Sequence, residues 1–146
     1  MTVFFNVNFM TEILLQSYIP VLGLYHPLIS QAMILSFTFA LIADLFGLMG
    51  KSRATYIGDW LIVFGASLCF PAVVTGWEAA KNVDVDSPLL TFHAQTGYAV
   101  LGFGVPYALF RLAGFFGYVK IPPLIHVILT VGLVYLTSWA ASFNLK

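Results

Sequence analysis

The fold is decided by residues 55–79, which read TYIGDWLIVFGASLCFPAVVTGWEA. The only charged residues in this stretch are Asp59 and Glu78, one near each end. A helix needs roughly 20 apolar residues to cross a hydrocarbon core of about 30 Å. The stretch also lacks the alternation of apolar and polar residues that marks a membrane β-strand. It therefore predicts a transmembrane α-helix, because an isolated strand cannot satisfy its backbone in lipid.

Three further apolar runs surround this stretch, at 27–50, 89–117 and 122–143. Over all 146 residues the chain is 60% hydrophobic and only 8% charged, whereas an ordinary soluble domain is about 25% charged. So few charges could not cover a water-facing surface, and lipid is therefore the expected solvent. We predict an all-α integral membrane protein whose residues 26–146 form a four-transmembrane-helix bundle.

Residues 1–25 mix aromatic and aliphatic residues with Asn, Thr, Glu, Gln and Ser. They contain neither the basic start nor the small-residue cleavage site of a signal peptide. We interpret them as an N-terminal interfacial segment lying in the membrane plane. A fifth span, or a contact arm for a partner subunit, is the alternative interpretation.

The six basic residues predict an orientation. Side B, the end of the bundle where the first predicted helix ends, carries four of them, and side A carries two: Lys51, Arg53, Arg111 and Lys120, against Lys81 and Lys146. Because cytoplasmic loops are enriched in Lys and Arg, side B is predicted to be cytoplasmic. The protein would then be a multi-pass protein of the inner (plasma) membrane with both termini periplasmic or exterior. The zero net charge gives no reason to expect a nucleic-acid partner.

Ionisable residues within the predicted helices fall into two layers. His26 and Asp44 are 18 residues apart in the first helix, and His93 and Arg111 are 18 residues apart in the third. Eighteen residues are five helical turns, so each pair shares a face and spans about 27 Å. Because these two helices run the same way, His26 is expected beside His93 near side A, and Asp44 beside Arg111 near side B.

Two histidines at one depth predict a haem site. Imidazoles from neighbouring helices can bind a haem iron from both sides. The chain has no C-x-x-C-H motif, so the predicted cofactor is noncovalent haem b with His26 and His93 as metal ligands. A chlorophyll-type pigment bound through the same histidines is the alternative. His26 could also simply cap the helix that begins at Pro27.

Other residues on these faces complete the predicted cofactor site. Gly97 and Gly104 follow His93 on its face and would let a flat macrocycle lie close to the helix, although glycine there also suits helix packing. Met33 follows His26 and would form an apolar wall. Trp77 or Glu78 would supply a hydrogen bond to a ligand histidine.

The side-B layer is interpreted as structural. Asp44 and Arg111 are predicted to form an ion pair, because either charge alone in lipid would be costly. Asp59 and His126 lie at the same depth as a possible secondary site. We favour a structural hydrogen bond for His126 over a proton path, since no chain of polar residues continues across the membrane.

Four short motifs carry a family resemblance: His26-Pro27, ADLFG at 43–47, TGW at 75–77, and His93. Together they resemble a family of small bacterial four-helix membrane proteins catalogued as a domain of unknown function. The matching positions are His26, Asp44 and His93. Some members adjoin Rieske or other redox proteins, which implies a place in electron transport. The family's Gly-rich, His-containing tail has no counterpart in residues 142–146, which read SFNLK.

These observations predict a cytochrome b-like electron-transfer subunit of a larger respiratory or photosynthetic complex, with its haem near the periplasmic side. Its expected partners are the lipid bilayer, other subunits of a membrane redox complex, and a quinone or periplasmic cytochrome. A cofactor-free structural or accessory subunit is the alternative. No G-x-S-x-G, H-E-x-x-H or Walker motif is present, so a non-catalytic role is favoured over an enzyme.

Overall fold

The computed structural model describes residues 22–81 and 88–142. In these two ranges it contains four α-helices and no strand: α1 His26–Leu48, α2 Ser52–Ala80, α3 Pro88–Phe115 and α4 Pro123–Ser142. All four are long and apolar enough to cross a membrane. The predicted all-α four-helix bundle is thus confirmed, and each helix end lies within three residues of its predicted position.

A short helical turn at 22–24 precedes α1, and its Gly23 lies against the backbone of Ala79 in α2. Most of the predicted interfacial segment at 1–25 lies outside the described residues. The structure therefore bears only on its last four positions.

The helices form a closed ring in which each packs against its sequence neighbours and α4 packs against α1. Consecutive helices are antiparallel, so α1 and α3 run the same way and sit diagonally across the bundle. The α1–α2 interface is the most extensive of the four and the α3–α4 interface the least.

The two turns on side B share one backbone motif. Gly50 (φ +84°) and Gly117 (φ +78°) both adopt the left-handed conformation. After α1, the N–H of Gly50 bonds to the carbonyl of Gly47, and that of Lys51 bonds to Phe46. Gly117 and the residue after it repeat this pattern at the end of α3. This is the Schellman arrangement, and glycine suits it because a Cβ is disfavoured at positive φ.

The middle of the bundle is an apolar core. It is centred on one side chain from each helix, and these are 0–2% exposed: Phe37, Ile62, Val100 and Leu133. The ring of Phe37 packs directly on Gly65 of α2, where an added Cβ would overlap it. Close packing at this level separates a polar cluster near side B from a cavity near side A.

Arg111 is the centre of the polar cluster and is fully buried. Its Nη2 lies 2.7 Å from Oδ1 of Asp44, and its Nη1 lies 3.1 Å from Oδ2 of the same carboxylate. Its Nε lies 2.7 Å from Oδ1 of Asp59, an ion pair without the alignment of a hydrogen bond. Gly58 lets the pair form, because an added Cβ there would lie 2.8 Å from both Arg111 and Asp44.

The fourth helix joins this cluster through His126 and Thr130. Arg111 Nη1 donates to Nδ1 of His126, which must accept because a guanidinium has no acceptor atom. Thr130 donates to Oδ2 of Asp44 over 2.7 Å. Tyr107 links Arg111 to α4, because its hydroxyl lies 3.1 Å from Arg111 Nη1 and 3.0 Å from the carbonyl oxygen of His126. All four helices therefore meet at one buried guanidinium.

Removing the single cation of this cluster should be far more destabilising than removing one anion. Arg111→Met would leave the buried carboxylate of Asp44 and the partly buried carboxylate of Asp59 unpaired, and we expect a loss of about 3–5 kcal/mol in the free energy of unfolding. Asp59→Asn should cost much less, because Asp44 still neutralises the guanidinium. Unfolding in mixed micelles, followed by circular dichroism, would measure both.

Lys81→Gln is the matched control, because Lys81 forms only an exposed pair with Glu78 of the kind that contributes about 0–1 kcal/mol. Equal losses for Arg111→Met and Asp59→Asn would contradict the central role given to Arg111.

Candidate cofactor site

His26 and His93 face each other across the side-A end of the bundle. His26 is the first residue of α1, and His93 lies in the second turn of α3. Their ring centroids are 5.9 Å apart, and the ring planes are inclined by 81°. The structure thus brings together the two histidines that the sequence placed at one depth.

The orientation of His26 is fixed by α2. Its Nδ1 lies 2.9 Å from the carbonyl oxygen of Ala72 and 3.3 Å from Oγ1 of Thr75. Thr75 directs its own hydroxyl hydrogen to the carbonyl of Pro71 over 2.7 Å, which leaves its oxygen able to accept. A carbonyl can only accept, so Nδ1 of His26 carries the hydrogen and Nε2 is left available to a ligand.

His93 is held in the same way by α4. Its Nδ1 lies 2.9 Å from the carbonyl oxygen of Ala140. Ala140 belongs to the last turn of α4, where backbone carbonyls have no donor within their own helix. The end of α4 therefore supplies an acceptor that sets the tautomer of His93. Both histidines present Nε2 as their uncommitted nitrogen.

Both rings line a cavity of about 430 Å³ that is bounded by all four helices. This volume lies within the range of about 300–1,000 Å³ typical of ligand pockets. Its walls are mostly apolar, with Met33 of α1 and Cys69 of α2 among them. The Cys69 thiol donates to the Met33 sulfur over 3.5 Å. The site is therefore an apolar chamber with two inward-facing imidazoles.

The other predicted cofactor residues divide between the cavity and the core. Gly97 lines the cavity, and nothing lies within 4 Å of the position its Cβ would take. Trp77 also lines the cavity and is 69% exposed. Gly104 lies in the apolar core instead, where its Cβ would be 3.6 Å from Leu133 and 3.7 Å from Cys69.

His26 donates its Nδ1 hydrogen to the oxygens of Ala72 and Thr75, whereas the sequence suggested Trp77 or Glu78 as its partner. Glu78 forms an ion pair with Lys81 over 2.7 Å. His26 also does not act as a side-chain cap of α1, since its ring reaches across to α2. Of these partners, only Thr75 carried a signal in the sequence, as part of the TGW triplet.

Gly76 is a further residue of the site that sequence reasoning missed. An added Cβ there would lie 2.9 Å from Cε1 of His26, so the imidazole rests directly on the α2 backbone. The second member of the TGW triplet thus has a steric role beside the hydrogen-bonding role of Thr75.

The donor set fits a tetrapyrrole better than a bare metal ion. Among the described residues, no three His, Cys, Asp or Glu side chains are grouped so that they could hold a metal. Two imidazoles suffice for an iron whose other ligands come from a porphyrin. His26 and His93 would be the residues that hold it.

Thr75→Val should weaken the hold of α2 on the ring of His26 by removing the longer of its two Nδ1 contacts. Valine keeps the shape of threonine but removes an acceptor of the Nδ1 hydrogen. Long-range ¹H–¹⁵N spectra of the histidine rings in cofactor-free protein should show a shifted Nδ1 signal for His26 with its hydrogen retained, because the carbonyl of Ala72 still accepts it. Thr75→Ser should restore the wild-type signal.

Thr137→Val is the matched control. Thr137 also lines the cavity and is buried, but its hydroxyl bonds to the carbonyl of Leu133 in its own helix. A His26 spectrum that changes equally in both Val variants would contradict the assignment to Thr75.

Gly76→Ala and Gly132→Ala should have opposite effects on stability. Alanine is normally favoured over glycine within a helix by about 1 kcal/mol. At Gly132, where no atom lies near the added Cβ, this gain should appear in thermal unfolding. At Gly76 the added methyl displaces His26, so the gain should be lost or reversed. A stabilised Gly76→Ala variant with an unchanged His26 spectrum would contradict this contact.

Comparisons with known proteins identify no relative of this chain. No family model matches it, and no curated protein or solved structure shows significant similarity to it. The resemblance to small bacterial four-helix membrane proteins stays a prediction from short motifs. The function of the protein is therefore inferred from the geometry of its site.

Proposed function

We propose that this protein is a membrane-embedded cytochrome b-like subunit that holds haem b noncovalently through His26 and His93. One observation carries the proposal: two imidazoles in one apolar cavity, each fixed through Nδ1 to a backbone carbonyl, with Nε2 uncommitted. Metal-binding histidines almost always donate their second nitrogen to such an acceptor. Two histidines that served packing alone would not both need an Nδ1 hydrogen bond to a carbonyl beside the same cavity.

The protein would orient the cofactor and keep it dry. His26 and His93 would hold the haem iron, with Ala72, Thr75 and Ala140 setting the direction of their rings. When bound, haem b supplies reversible one-electron transfer at its iron. The apolar walls would exclude water, and such a shell influences the reduction potential of an enclosed metal.

A site at side A suits exchange of electrons at the periplasmic surface, in the orientation predicted by the basic residues. The described chain consists almost entirely of helices, so it offers little surface for recognising a soluble substrate. We therefore propose that it works as a subunit of a larger respiratory or photosynthetic complex. A quinone or a periplasmic cytochrome would be its redox partner.

A chlorophyll-type pigment is the second candidate for the same cavity. Haem is favoured because the site offers two imidazoles, the ligand pair that suits an iron held in a porphyrin. A cofactor-free structural subunit is less favoured, because it gives no reason for two oriented imidazoles beside a cavity.

The haem proposal predicts a b-type spectrum that depends on both histidines. Purified protein should give a reduced-minus-oxidised Soret signal and a pyridine haemochrome of haem b. His26→Ala and His93→Ala should each lose most of the bound haem. Exogenous imidazole should restore binding to His93→Gly, because the cavity left by the side chain can accept the free ligand.

His126→Asn is the control, since His126 belongs to the Arg111 cluster and an Asn oxygen can replace its accepting nitrogen. Its haem content should match that of the wild type. Haem-free protein from a haem-replete host would refute the proposal, and an extractable chlorophyll-type pigment would favour the second candidate.

A further inference from the structure

A ledge of contacting aromatic rings marks the side-B corner between α2 and α3. Tyr56 and Trp60 of α2 lie 5.4 and 5.8 Å from the ring of Phe115, measured between centroids. Phe116 lies 5.2 Å from Phe115, and Tyr118 lies 6.5 Å from Phe116. These five residues, here called the aromatic ledge, are between 37% and 83% exposed.

Basic residues border the aromatic ledge. Arg53 lies about one helical turn before Tyr56, and Lys120 follows Tyr118 by two residues. Lys51 occupies the turn that leads into α2. All three are exposed, and none takes part in a salt bridge among the described residues.

No exposed acidic side chain offsets these charges in the described part of side B. The two acidic residues there are Asp44 and Asp59, and both are directed inward to Arg111. The exposed formal charges of this corner are therefore three positive and none negative. Because both carboxylates pair with Arg111 inside the bundle, the surface of this corner has a positive electrostatic field.

We propose that this corner binds the headgroup of an anionic phospholipid. The lipid phosphate would lie among Lys51, Arg53 and Lys120, and the acyl chains would run along the aromatic ledge toward the membrane interior. Basic residues beside a span attract anionic lipids, and aromatic side chains favour the headgroup level. This lipid site is independent of the proposed haem.

The aromatic ledge is the reason for choosing a lipid over a soluble anion. A soluble phosphate would satisfy the basic residues but leave five exposed rings uncovered at the ends of spanning helices. A phospholipid carries an anionic phosphate at the membrane surface and apolar chains just below it, so it can contact the basic residues and the aromatic ledge together. A zwitterionic lipid would cover the rings but carry a compensating positive charge.

The test uses the full chain in nanodiscs of equimolar phosphatidylglycerol and phosphatidylcholine, with retained lipids identified by native mass spectrometry. Wild-type protein should retain phosphatidylglycerol preferentially. Each basic residue near an anionic lipid surface contributes a factor of about five, so Lys51→Gln/Arg53→Gln/Lys120→Gln should lose most of the preference. Lys81→Gln, on side A, should keep it.

A second measurement avoids dependence on how the triple variant folds. In wild-type protein, raising the salt from about 0.1 to 1 M shortens the screening length from about 10 to 3 Å and should reduce the phosphatidylglycerol preference. Equal retention of both lipids by the wild type would overturn the proposal. So would a folded triple variant with an unchanged preference, or a preference insensitive to salt.

Discussion

The buried charge of Arg111 is the constraint on which the arrangement of the four helices depends. A guanidinium in an apolar bundle is tolerated only if it is paired and hydrogen-bonded. Its partners come from every other helix: Asp44 from α1, Asp59 from α2 and His126 from α4. Rotating or sliding any one helix would strand a polar group in lipid or in the core. The cluster therefore specifies which helices are neighbours, which faces they turn to each other, and at what depth they meet. Apolar packing alone specifies these poorly, because lipid is as apolar as the helix surfaces.

The ion pair that sets the relative depth of α1 and α3 at side B also sets the relative depth of their histidines at side A. Asp44 and Arg111 are each five helical turns from a histidine on the same face, so their ion pair brings His26 and His93 to one level about 27 Å away. Between the two levels, Phe37 and the side chains around it close the bundle, so the two ends are chemically separate. At side B the polar groups satisfy one another. At side A each imidazole donates from Nδ1 to a backbone carbonyl, keeps Nε2 uncommitted, and lines a cavity. That asymmetry is the reason for proposing a ligand at side A and a structural role for the cluster at side B.

The spacing of ionisable residues made much of this site predictable. Eighteen-residue intervals in two parallel helices placed the histidines at one depth and Asp44 beside Arg111, because helix geometry converts spacing into height and face. Gly104 shows where this reasoning fails. It shares the predicted face of His93, yet it packs against Leu133 below the cavity, because a helical wheel gives direction without showing where a neighbouring helix closes the space. Nothing in the sequence could predict that the carbonyls of Ala72 and Ala140 accept hydrogen bonds from the histidines, since every residue has a backbone carbonyl.

Local sequence was sufficient to establish the number of spans, their helical nature, and the two layers of ionisable residues, because hydrophobic run length and a fixed rise per residue are local properties. The packed bundle was needed to show that Asp59 shares Arg111 with Asp44, that Thr75 and Gly76 hold the ring of His26, and that both histidines line one cavity of about 430 Å³. Those features depend on how closely two helix backbones approach. That distance is set by side chains from all four helices at once, and no single stretch of sequence encodes it.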